Sequence, residues 1–140
     1  MPTKKAEAIW KGDLKSGNGT MKLESGSYEG KFSFATRFED KSGSNPEELI
    51  GAAHAGCFSM AFSNELDKAG FTPNSVETHA EVNIDGNAGA ITTIKLITKG
   101  DVPNIDNDKF QEIAEAAKKG CPVSKALAGV EIKLEASLGN

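Results

Sequence analysis

Two cysteines, Cys57 and Cys121, are the side chains of this 140-residue chain best suited to covalent chemistry. A thiolate is both a nucleophile and a metal ligand, and two thiols that meet in the fold can form a disulfide. The first ten residues contain no apolar stretch of signal-peptide length, so we expect a cytoplasmic protein whose thiols are reduced at rest. Catalysis, redox sensing and metal binding are therefore the roles to consider.

The two cysteines have different local settings. Cys57 lies between Gly56 and Phe58 within an apolar stretch, where a free cysteine ordinarily acts as a small core residue. Cys121 precedes Pro122, a residue typical of the first helical position, and the partial positive charge of a helix N-terminus favours a thiolate. Local reasoning thus makes Cys121 the more reactive thiol, with a simple capping residue as the equal alternative.

Arg37 and Glu47 are the charged residues that would support thiol chemistry. An arginine can hold a thiolate, and a carboxylate can fix its guanidinium in a two-pronged pair. The residues alone favour a simpler interpretation, a surface arginine and a first-turn carboxylate that interacts with the helix dipole. Glu47 and Cys57 are ten residues apart, about 15 Å along a helix axis, so they cannot meet within one straight helix. If they serve one site, Arg37 and Glu47 of one subunit approach Cys57 of another.

His54 precedes Cys57 by three residues and shares its helical face. It could assist the thiol, but a buried, hydrogen-bonded histidine is the more common situation. A zinc site made of His54, Cys57 and Cys121 would lack a fourth ligand and the usual close spacing of cysteines and histidines.

Hydrophobic periodicity and turn residues predict the elements that position these side chains. We expect strands at 5–10, 20–24 and 28–38, a helix from Asn45 to Gly70, a hairpin at 76–84 and 90–98, helices at 108–119 and 121–127, and a strand at 130–138. The order βββ-α-ββ-αα-β indicates one α+β domain over residues 1–140 with mainly antiparallel sheet.

The helix that carries Cys57 is apolar on most sides between residues 49 and 62, so it needs cover all round. The apolar run is too short to span a bilayer, and one six-stranded sheet can shield only part of it. A two-fold homodimer in which two such helices pack together is the simplest solution. A net charge of −4 with scattered basic residues argues against nucleic acid or an anionic membrane as a partner.

Two stretches around the cysteines closely resemble the OsmC branch of the OsmC/Ohr family. They are NPEELIGAAHAGCFSM at residues 45–60 and GCPVS at residues 120–124, and AIWKGD at 8–13 and TRFE at 36–39 extend the resemblance over nearly the whole chain. The resemblance implies an intertwined homodimer with two central helices wrapped by sheets. It also implies a thiol peroxidase without metal, flavin or haem that reduces organic hydroperoxides, and hydrogen peroxide more weakly.

The resemblance also assigns roles to the residues. It implies that Cys57 attacks the peroxide and Cys121 resolves the product, which reverses the order that local reasoning favours. Arg37 matches the arginine that polarises the peroxide, and Glu47, not Glu48, matches the carboxylate that holds it. A dithiol is implied as the reductant, with lipoyl groups as the family's donors. Apolar residues expected to line a pocket are Met21, Phe32, Phe34, Phe38, Phe58 and Met60.

Two other functions fit the same residues. A non-catalytic redox or stress-response protein would use the Cys57–Cys121 disulfide as a switch, which closes a long loop and stabilises the fold by about 4 kcal/mol in the chain-entropy model. A module that binds a hydrophobic ligand would contain the cysteines only incidentally. Peroxide consumption separates the enzyme from both.

Overall fold

The computed structural model describes residues 1–139, which form an α+β fold. The elements are β1 (Ala6–Lys11), β2 (Asn18–Leu23), β3 (Glu29–Phe32), α1 (Phe34–Phe38), α2 (Pro46–Lys68), β4 (Ser75–Asp85), β5 (Ala90–Asp101), α3 (Asn107–Gly120), α4 (Pro122–Ala126) and β6 (Glu131–Leu138). They fall into two compact units, Met1–Leu49 and a second unit from Ile50 onward. No helix of residues 1–139 has the length and apolarity needed to cross a membrane.

The first unit is built on the antiparallel sheet β1-β2-β3. Gly19 of β2 pairs with Trp10 on one side and Phe32 on the other, and the two aromatic rings meet with centroids 5.3 Å apart. A Cβ at Gly19 would lie 2.8 Å from each ring, closer than real Cβ atoms approach other atoms. The absence of a side chain at Gly19 therefore allows the two rings to pack over β2.

The third strand is shorter than predicted and a short helix follows it. The strand expected over residues 28–38 ends at Phe32. Ser33 then forms a capping box, in which its hydroxyl accepts from the Thr36 N–H and the Thr36 hydroxyl accepts from the Ser33 N–H. Two local hydrogen bonds thus end the strand, and Arg37 lies on α1 rather than on β3.

Helix α2 begins and ends where the sequence predicts. The Asn45 side chain accepts from the Glu48 N–H at 2.8 Å, so it caps the helix ahead of Pro46. After Lys68 the chain reverses through Gly70, which has a φ of +92°. Glu47 belongs to the part of α2 in the first unit, and Cys57 belongs to the part in the second.

The second unit packs helices against the sheet β4-β5-β6. Its central strand β5 is antiparallel to β4 and parallel to β6, so the six strands form two three-stranded sheets instead of the single sheet we expected. The core contains apolar residues of α2, α3 and β5, among them Phe58, Phe62, Leu66, Ile94, Leu96 and Phe110. This core holds the middle of α2 beside the start of α4.

Candidate functional site

Cys57 and Cys121 meet inside the second unit, with their sulfur atoms 2.9 Å apart. Cys57 comes from the middle of α2, and Cys121 occupies the single residue between α3 and α4. Cys121 ends α3 by donating its N–H to the Ala117 carbonyl, while its own carbonyl accepts from Lys125. The thiol therefore sits in a backbone position that is fixed from both sides, and both cysteines are free.

The two sulfur atoms differ in access to solvent. Cys121 is completely buried, whereas Cys57 is half-buried. A cleft of about 530 Å³ opens beside Cys57, with Met60 and Ala61 of α2 on one side and Gly120 and Pro122 on the other. A molecule that enters this cleft reaches the sulfur of Cys57 first.

Burial raises the pKa of the Cys57 thiol, and the hydrogen bond that it shares with Cys121 raises this pKa further. The backbone of Val123 opposes these effects in part. Cys57 therefore needs an additional positive charge nearby to become a thiolate at neutral pH.

The pKa of Cys121 is shifted in the opposite direction. Burial raises it, but hydrogen bonds from Cys57, from the backbone and hydroxyl of Ser124 and from the backbone of Val123 outweigh burial, so the pKa lies below its usual value. The two thiols share one hydrogen bond, between Cys121 Sγ and Cys57 Sγ, across 2.9 Å. The reduced pair thus has Cys121 as the more acidic member.

Arg37 and Glu47 form an ion pair in the first unit. The Nε of Arg37 lies 2.7 Å from one Glu47 carboxylate oxygen and 3.2 Å from the other. Both contacts use Nε, so neither engages the terminal nitrogens of the guanidinium. The two-pronged pair expected from the sequence is therefore replaced by one N–H that is shared between the two carboxylate oxygens. The Glu47 carboxylate is 8% exposed, whereas Glu48 is exposed and bonds to Asn45.

Aromatic residues surround Arg37. Its guanidinium lies 5.2 Å from the centroid of Phe38, and a pocket of about 250 Å³ in the first unit includes Arg37 with Trp10, Leu14, Phe32, Phe34 and Phe38. Three of the six residues expected to line a pocket are therefore found here, and Met60 lines the cleft beside Cys57. Phe58 is instead completely buried in the core, and Met21 is not among the residues of either cavity.

His54 is buried and hydrogen-bonded, as the sequence predicted for a histidine at this position. Its Nε2 lies 2.8 Å from the hydroxyl of Ser124, and its Nδ1 has no hydrogen-bond partner among the described residues. Within residues 1–139, no cluster of three or more histidine, cysteine or acidic side chains is arranged to hold a metal ion. Sequence reasoning missed Ser124, although its place three residues after Cys121 at a helix start was a usable signal.

The chain is similar in sequence to known proteins. Residues 39–135 match the model of the family described as OsmC-like protein. The chain is 52% identical over 138 residues to peroxiredoxin OsmC of Escherichia coli (strain K12), with 96% of each chain covered. It is 34% identical over 103 residues to the organic hydroperoxide resistance protein OhrB of Bacillus subtilis (strain 168), with 69% of this chain and 72% of OhrB covered.

The fold is likewise that of solved relatives. The crystal structure of an organic hydroperoxide resistance protein from Elizabethkingia anophelis superposes with a TM-score of 0.76 at 25% sequence identity. The match covers 99% of this chain and 98% of that one. Both the sequence and the backbone therefore group with the same set of proteins.

Proposed function

Because this chain belongs to the OsmC-like family and is a peroxidase, we propose that it reduces organic hydroperoxides to alcohols through the pair Cys57 and Cys121. The observation that carries the proposal is the geometry of the two thiols: 2.9 Å between the sulfur atoms, with only Cys57 on a surface cleft. Two free thiols at this distance can become a disulfide with a small change in side-chain position.

The difference in access to solvent supports the roles that we propose for the two thiols. The Cys57 thiolate attacks a peroxide oxygen, the O–O bond breaks, and the alkoxide takes up a proton and leaves as the alcohol. The resulting Cys57 sulfenic acid reacts with Cys121, which displaces hydroxide, and the hydroxide takes up a proton to become water. Cys121 is buried behind Cys57, so it is suited to this second step and not to the first.

The cleft favours an alkyl peroxide over hydrogen peroxide. Met60, Ala61 and Ala117 give it apolar walls close to Cys57. Apolar walls gain free energy from contact with the carbon part of an organic peroxide, whereas hydrogen peroxide offers none.

We propose that Arg37 of a second subunit supplies the positive charge that Cys57 lacks. Glu47 holds the guanidinium through Nε, which leaves the terminal nitrogens for the thiolate and for the developing alkoxide. Met60, exposed to 77% of its surface beside Cys57, is an apolar side chain that a partner subunit would cover. The site would therefore be completed in a homodimer.

The disulfide must be reduced for turnover to continue. A dithiol restores both cysteines through thiol–disulfide exchange, and no metal or organic cofactor takes part in this scheme. Lipoyl groups are the dithiol that the family resemblance suggests.

Consumption of cumene hydroperoxide and of hydrogen peroxide, measured separately with dihydrolipoamide as reductant, tests the proposal. We expect turnover that prefers the organic peroxide, disappears in Cys57→Ser and falls sharply in Arg37→Ala. Arg37→Lys is the matched variant that keeps a charge but loses the planar guanidinium.

The opposite outcome is equally informative. A reduced parent protein that consumes neither peroxide with several dithiols would contradict the proposal. A stable Cys57–Cys121 disulfide under those conditions would favour the redox switch.

A further inference from the structure

His54 and Ser124 form a polar pair in the core of the second unit that the reaction scheme above does not use. His54 has no exposed surface and Ser124 is 7% exposed. They come from α2 and α4, the two helices that also carry or flank the reactive thiols. A buried polar side chain costs free energy unless it is hydrogen-bonded, so the 2.8 Å contact fixes how each one is oriented.

The proton of the His54 ring can be placed. Burial lowers the pKa of His54, so the ring is neutral and has one N–H. Only Nε2 has a hydrogen-bond partner in the described part of the chain, and a buried N–H without an acceptor is costly. The proton therefore lies on Nε2 and is donated to the Ser124 hydroxyl oxygen. Because the Ser124 oxygen accepts this proton, the hydroxyl proton of Ser124 can be donated in a second hydrogen bond.

Cys121 is the N-cap residue of α4 and Ser124 is three residues further on, in the first turn of the same helix. Burial raises the pKa of Cys121, and the hydroxyl of Ser124 is one of the groups that together reverse this shift. The groups that face this sulfur are Cys57 of α2 and Val123 and Ser124 of α4, and the two residues from α4 are uncharged.

We propose that His54 is a positioning residue for disulfide formation, because its Nε2–H holds the Ser124 hydroxyl so that this hydroxyl donates to the sulfur of Cys121. The inference rests on the proposed role of Cys121 as the resolving thiol. In that step the Cys121 thiolate attacks the sulfur of the Cys57 sulfenic acid, the S–S bond forms and the S–O bond breaks. Hydroxide leaves and becomes water. A hydroxyl held toward Cys121 raises the fraction present as thiolate and speeds this step.

Titration of Cys121 in Cys57→Ser protein tests the arrangement without peroxide. Thiolate formation is followed by its ultraviolet absorbance as the pH is raised. A hydrogen bond to a charged group contributes about 1.5 kcal/mol or more, so we expect Ser124→Ala and His54→Leu to raise the midpoint by about one pH unit.

Two histidine variants distinguish a positioning role of His54 from a role in core packing alone. In His54→Gln an amide N–H lies near the place of Nε2, whereas the shorter side chain of His54→Asn reaches only as far as Nδ1. We expect Gln to keep the parent midpoint and Asn to shift it as Leu does, with melting temperatures compared to show that each variant is folded. Equal midpoints for folded Ser124→Ala and the parent would overturn the inference, and this variant decides the question if the histidine variants do not fold.

A single turnover with both cysteines present links the pair to the reaction. The thiolate fraction of Cys121 falls about tenfold for one pH unit, but a less acidic thiolate is a better nucleophile, so disulfide formation should slow about threefold in Ser124→Ala. The preceding step, formation of the sulfenic acid, should keep its rate. A variant with a general loss of packing would instead change the rates of both steps.

The two proposals fail separately. A shifted midpoint without peroxide turnover contradicts only the proposed function. Normal turnover with an unshifted midpoint contradicts only the role of His54.

Discussion

Cys57 and Cys121 hold their sulfur atoms 2.9 Å apart, yet Cys57 lines the cleft while Cys121 is completely buried. The more acidic thiol is thus the less accessible one. Local reasoning from the helix N-terminus favours Cys121 as the more reactive thiol, but the order of steps that we propose follows access to the cleft. A thiol with a lowered pKa behind an accessible one is well placed to resolve a sulfenic acid, because the lowered pKa increases the fraction present as the attacking thiolate.

Replacement of the resolving thiol should trap the intermediate. In Cys121→Ser the Cys57 sulfenic acid has no thiol beside it, so one equivalent of organic peroxide should leave a species that reacts with dimedone and is detected by mass spectrometry. In Cys57→Ser no such adduct should form, because peroxide does not reach Cys121. A dimedone adduct on Cys121 in that variant would contradict the assignment of roles.

Loss of the Glu47 charge should slow attack on the peroxide. Glu47→Gln keeps the size of the side chain but removes the charge from the bond to Arg37 Nε, a bond of the class worth about 1.5–3 kcal/mol. If the whole of this free energy is lost from the stabilisation of the transition state, kcat/KM for the organic peroxide falls about tenfold to a hundredfold. Glu48→Gln is the matched control, since Glu48 bonds to Asn45 and not to Arg37, and it should stay near the parent value.

Most elements that depend on local signals were predictable from the sequence, with α1 as the exception, and the pairing that depends on distant contacts was not. Asn45 and Gly70 bound α2 as expected, since a cap and a positive φ act within a few residues. Helix α1 was missed because alternating aromatic residues indicate a strand, and its capping box uses Thr36 where Glu or Gln is more common. The parallel pairing of β5 with β6 leaves no local signature in either strand.

The candidate site likewise contains residues that the sequence could identify and a contact that it could not. Cys57, Cys121 and the pair Arg37 and Glu47 could be selected by residue type and by resemblance. The contact between His54 and Ser124 joins residues 70 positions apart, and only the packing of α4 against α2 creates it. The histidine alone gave no reason to prefer a serine as its partner.

His54 should make the second unit less stable in mild acid. Its pKa in the folded protein is lowered from 6.5 by burial, so the unfolded chain binds more protons between the two values. The free energy of unfolding should therefore decrease as the pH falls below 6.5, by at most about 1.4 kcal/mol for each pH unit, until the folded pKa is reached. Urea denaturation at several pH values should show a shallower decrease in His54→Gln, and parallel curves for the two proteins would contradict the prediction.

Gly19 should be needed for the packing of the first unit. The Cβ of Gly19→Ala would lie 2.5 Å from the Ile9 carbonyl oxygen and 2.8 Å from the rings of Trp10 and Phe32, and forcing an extra carbon into such contacts costs about 1–3 kcal/mol. Trp10 is the only tryptophan of the chain, so its fluorescence reports directly on this contact and should change in emission maximum as the rings separate. Gly129→Ala is the matched control, because a Cβ there meets no atom within 4 Å and should leave both the fluorescence and the stability close to those of the parent. If Gly19→Ala gives the same emission and the same denaturation midpoint as Gly129→Ala, the close packing of Trp10 and Phe32 over β2 is not what holds this sheet together.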